Sequence, residues 1–80
     1  MEQEMVHLKQ FERDSEWFHN HIGVLRKMGL TEKFVAIKNS KPLFSDKKID
    51  VVIKRLEEKG ENPSFIFIEF VHPAGYILLL

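Results

Sequence analysis

Between Met5 and Leu25 the positions Leu8, Phe11, Ser15, Phe18, Ile22 and Leu25 follow one another at alternating intervals of three and four. That is the stripe of an amphipathic helix. Arg13, Asp14, Ser15 and Glu16 interrupt its apolar character, and Asp14 or Ser15 has the short polar side chain of an N-cap. The pattern therefore predicts one helix or two pieces sharing a face, with its firmest part at Glu16 to Met28, Gly29 as the stop, and residues 1–14 as a candidate separate helical extension. Further on, KFVAIK at Lys33 to Lys38 reads as a strand with Val35 and Ile37 inward, and Asn39-Ser40-Lys41-Pro42 as a turn into a short strand at Leu43 and Phe44. Asp46 is the expected N-cap of a helix that places Ile49, Val52, Ile53 and Leu56 on one face, pairs Asp50 with Lys54 at i,i+4, and ends at Gly60.

The run SFIFIEFV, Ser64 to Val71, has the Phe, Ile and Val content of a strand, and both alternating faces are apolar. Ile66, Ile68 and Phe70 share one face; Phe65, Phe67 and Val71 share the other, interrupted by Glu69. Such a strand needs cover on both sides, supplied by the amino-terminal helix or by another protein chain. His72-Pro73-Ala74-Gly75 reads as a turn into a last strand, Tyr76 to Leu80. The order helix, strand, strand, helix, strand, strand, with short loops and two hairpins, predicts a single α+β domain over 1–80, its mostly antiparallel, four-stranded sheet packed by two or three helices.

Composition narrows the function classes. Eighty residues give one core and a few kcal/mol of net stability, so a docked partner surface would matter energetically. The absence of cysteine removes disulfides, thiolate metal sites and a thiol nucleophile. Twelve Lys and Arg balance twelve Asp and Glu, which disfavours nonspecific phosphate binding. The balance is uneven along the chain, acidic before residue 17 and basic from Arg26 to Lys59, where Lys33, Lys38, Lys41, Lys47, Lys48, Lys54 and Arg55 lie. This basic part can attract RNA or an acidic protein, although two solvated faces attracting one another is the plainer account. The acidic, polar start MEQEMVHLKQ does not read as a secretory signal and no apolar run approaches the ~20 residues of a membrane span, so a cytoplasmic protein with no membrane partner is expected.

Four stretches resemble a family of small prokaryotic proteins catalogued as domain of unknown function 5678: Glu16-Trp17-Phe18 opening a helix, VAIKN at Val35 to Asn39, EKGENPS at Glu58 to Ser64, and IFIEFV at Ile66 to Val71. The likeness covers Ser15 to Leu80 and its motifs are strand cores and turns, so it implies a fold rather than a reaction, cofactor or catalytic residue. The second strand departs from the family pattern, since KPLFS carries Pro42 and Ser45 where a plain valine-rich strand is usual. That implies a short, exposed edge strand.

Candidate chemistry is sparse. His19-Asn20-His21 spells the name of a nuclease motif, but two residues apart on a helix point about 200° away from each other and cannot share one ion. His7 and His72 have no partner at sequence level, and Ser15, Ser40, Ser45 and Ser64 fall at caps or turns rather than in a nucleophile elbow. Gly23, Gly29, Gly60 and Gly75 are too scattered for a phosphate cradle, so no cofactor is expected. Glu69 is the one candidate acid; a margin position paired with a lysine such as Lys38, or an inward charge that discourages sheet stacking, accounts for it better. Trp17 borders the helical stripe beside Phe18 as a candidate interface anchor or a core residue. The reading that follows is a noncatalytic protein-interaction module acting as a homodimer or adaptor, with Trp17, Phe65, Phe67, Glu69, Tyr76, Leu78 and Leu80 as its expected interface. A small regulatory subunit restraining an enzyme is the alternative, ahead of a metal-dependent hydrolase using Glu69 with a histidine, or an RNA-binding protein.

Overall fold

In the computed structural model, which describes residues 2–74, the chain folds in the order α1 (Glu2–Asn20), α2 (Ile22–Lys27), β1 (Phe34–Lys38), β2 (Lys41–Asp46), α3 (Ile49–Glu58) and β3 (Phe67–Phe70). A 3-10 turn at Pro63–Phe65 leads into β3. The fold class is α+β, with an antiparallel sheet ordered β2-β1-β3. The expected fourth strand, Tyr76 to Leu80, lies outside the described residues.

Helices cover the sheet on both sides. Phe18 of α1 and Leu25 of α2 pack with Val35, Ile37, Phe67 and Val71 on one face. Val52 and Leu56 of α3 pack with Ala36 and Ile66 on the other, bordered by Phe34, Phe44 and Ile68. From Ile66 to Val71 both faces of the SFIFIEFV run are therefore covered within the chain, while Phe65 stays exposed in the 3-10 turn. Phe67, expected at an interface, is 5% exposed and meets the rings of Phe11 and Phe18 at 5.2 and 5.7 Å. It is a core residue, because the amino-terminal helix supplies the cover for which a second chain was the alternative. Central β1 is closed in from both faces, so Val35, Ala36 and Ile37 are all fully buried rather than alternating.

The amino-terminal helix does not break at Arg13 to Glu16. α1 runs 19 residues through that polar patch and the chain breaks at His21, whose N–H is shared between the carbonyls of Trp17 and Phe18. Asp14 caps nothing on its own helix. By the 3.6-residue period it lies about 40° from Phe18, so it faces the sheet, where it is 2% exposed. Its Oδ1 accepts the N–H of Ser40 at 2.8 Å, and one turn earlier Gln10 donates from Nε2 to Asn39 Oδ1 at 3.1 Å.

Those two bonds grip the β1–β2 turn. Asn39 and Ser40 have φ of 53° and 59°, the left-handed pair of a two-residue I′ hairpin. The expected four-residue turn is thus only two residues long, and Lys41 and Pro42 belong to β2. α2 and α3 stop alike: Leu30 donates to the Leu25 carbonyl past Gly29 (φ 82°), and Glu61 to the Leu56 carbonyl past Gly60 (φ 85°). Asp46 serves the start of α3 indirectly, accepting the N–H of Lys48, the residue at the N-cap position.

Candidate functional site

Among the described residues β2 lies at an edge of the sheet, as its Pro42 and Ser45 predicted, but at 6 residues it is not the short strand expected there. Its pairing with β1 is irregular: Ile37 opposes Pro42 and Ala36 opposes Phe44, so Leu43 has no partner. An extra residue of this kind bends its strand and redirects the side chains around it. Pro42 and Phe44, two apart, consequently face opposite sides, Pro42 with Ile37 toward α1 and α2 and Phe44 with the α3 cluster.

Around this bulge is a surface depression of about 300 Å³ whose walls include Met28, Leu30, Pro42, Leu43, Phe44 and Arg55. It wraps the β2 edge, with the α2 C-terminus on one side and α3 on the other. Met28 is 56% and Leu43 38% exposed, two large apolar side chains in one concavity. Arg55 is its one charged lining residue, and among the described residues its guanidinium makes no ion pair. Pro42 offers no N–H, and the bulge distorts the ladder on either side of Leu43. The edge thus presents side chains rather than a pairing template.

The residues singled out from sequence disperse. Trp17 is half-buried at the border of the α1–α2 cluster, its indole stacked on the His21 imidazole at 4.5 Å. Phe65 is 46% exposed in the 3-10 turn, beside a smaller hollow of about 120 Å³ with Gln10, Lys38 and Glu61. Glu69 does not pair with Lys38, whose ammonium binds both carboxylate oxygens of Glu61 at 2.8 Å; Glu69 turns its Oε1 to the N–H of Phe70. It is half-buried opposite Val35, as an inward charge on that face. Tyr76, Leu78 and Leu80 lie outside the described residues.

His19 and His21 each use Nδ1 to donate to the carbonyl one turn back, Ser15 and Trp17 respectively, both at 2.8 Å. Their rings answer to the helix backbone. Among the described residues no three His, Asp or Glu are gathered as a metal site would need, and no helix is long and apolar enough to cross a membrane.

Comparison with protein-family models, with characterised proteins and with solved structures gave no match. The depression at β2 was missed by sequence reasoning because Met28, Leu43 and Arg55 sit on three different elements. The one local signal was Pro42 followed by Leu43, an apolar pair in a strand too irregular to bury both.

Proposed function

We propose that the chain is a noncatalytic protein-interaction module that docks a partner protein through the depression at the β2 edge. The observation carrying this reading is the joint exposure of Met28 and Leu43, 56% and 38%, in one concavity beside Arg55, which makes no ion pair among the described residues. Large apolar side chains gathered in a hollow lose water-exposed area when a partner side chain enters, at about 25 cal/mol per Å². An arginine at the margin adds orientation. The sheet faces, one of the contact surfaces expected from the sequence, are taken by α1, α2 and α3, while Tyr76, Leu78 and Leu80 lie outside the described residues.

The test pairs the wild type with a Met28→Asp/Leu43→Asp variant. Both positions are exposed, so circular dichroism should report the same fold. Tagged wild type and variant serve as baits in lysate of the source organism, with sedimentation velocity on each purified protein. A stoichiometric partner, or a dimer, that is present with wild type and lost with the variant supports the reading and separates adaptor from homodimer. Association that is indifferent to both substitutions overturns it.

A further inference from the structure

Resting on that docking reading, we infer that the β2 depression takes an acidic protein segment that inserts one large apolar side chain between Met28 and Leu43 and sets a carboxylate against Arg55.

Charge comes first. The stretch from Arg26 to Lys59, which contributes every residue lining the depression, holds ten Lys and Arg against five Asp and Glu, while the chain as a whole is neutral. Within that stretch Lys27 adjoins Met28, Lys41 adjoins Pro42, and Lys47 and Lys48 follow β2. Lys27, Lys41, Lys47 and Lys48 are all exposed. The one acid on the strand, Asp46, accepts the N–H of Lys48 and sets a single negative charge beside Lys47 and Lys48. An acidic partner would therefore meet a stretch of chain with an excess of positive charge and, in the depression itself, Arg55, which forms no ion pair among the described residues and can make a forked pair.

Shape then selects protein over nucleic acid. The exposed lining is aliphatic, Met28 and Leu43 with Leu30 and Pro42 below; the aromatic Phe44 is half-buried against the α3 cluster and offers no open ring for a base. Single-stranded RNA uses stacking platforms, whereas an aliphatic hollow suits a Leu, Ile or Phe side chain. Pro42 and the bulge at Leu43 also oppose continuous main-chain pairing along β2, so the segment is held by its side chains and not as an added strand.

The experiment is a selection from a random twelve-residue peptide library on immobilised wild type, counter-selected on the Met28→Asp/Leu43→Asp variant, with a random RNA twelve-mer pool run in parallel. Selected peptides should be rich in Asp and Glu around one large apolar residue. Their affinity should fall roughly tenfold for Arg55→Glu and weaken with added salt. Peptides without acid enrichment, or indifferent to Arg55→Glu, overturn this inference while leaving the docking reading intact. Retention of no peptide by wild type over the variant overturns both. Enrichment of RNA in place of peptide assigns the surface to nucleic acid and overturns the acidic-segment proposal.

Discussion

The two faces of the sheet are held by different kinds of polar bond. On the α1–α2 side, side chains reach far along the chain: Gln10 to Asn39, Asp14 to Ser40 and Arg26 to the His72 carbonyl span 29, 26 and 46 residues. On the α3 side, Asp46 and Asn62 each accept an N–H only 2 residues on. The exception there is the Lys38–Glu61 ion pair, whose side chains are 32% and 25% exposed. One layer is tied to the sheet by long-range bonds that fix the hairpin turn and the exit of β3; the other is trimmed at its ends and relies on the apolar contacts of Val52 and Leu56.

Truncating the centre of each layer should have the largest effect. Phe18→Ala empties a fully packed site and should cost about 3–5 kcal/mol, Leu56→Ala about 2–5, each measured by urea denaturation. With the few kcal/mol expected of so small a domain, Phe18→Ala should be largely unfolded at room temperature. The contrast between the layers is sharpened by their carboxylates. Asp14→Ala leaves the Ser40 amide without its acceptor and should cost about 1–3 kcal/mol, with hydrogen exchange rising at residues 38–41. Asp14→Asn keeps an acceptor oxygen and should recover most of that loss. Asp46→Ala should cost about 1 kcal/mol or less, with exchange rising only in the first turn of α3. Equal costs for Asp14→Ala and Asp46→Ala would dissolve the distinction. Smallest of all, a double-mutant cycle on Lys38 and Glu61 should give a coupling of about 1 kcal/mol or less, because both side chains keep a quarter to a third of their surface in water.

The same contrast explains what could be read from the chain alone. α3 was legible because its signals are local: the Ile49, Val52, Ile53 and Leu56 spacing, Asp46 just before it and Gly60 just after. The helix starting in the first residues was legible in type but not in continuity. Asp14 carries the side chain of a cap, and only the folded chain brings the Ser40 amide to it from 26 residues away. A buried carboxylate whose partner lies in a distant turn has no periodicity to betray it. Phe67 was misplaced for a related reason, since its exposure depends on whether α1 lies over it. The β2 depression needed an unpaired residue in the strand register, which pattern matching against strict alternation cannot supply.

That unpaired residue has a further consequence. On one side of Leu43 the pairs are Phe34–Asp46, Val35–Ser45 and Ala36–Phe44; on the other they are Ile37–Pro42 and Lys38–Lys41. Both halves already have the register of a regular hairpin closed by Asn39 and Ser40, with one residue left over. Removing Leu43 would join them without turning any other side chain to the opposite face. The bulge at Leu43 and the rest of the hairpin are then separable by a single amino acid: deleting Leu43 should straighten the edge strand while both halves of the hairpin keep their pairing.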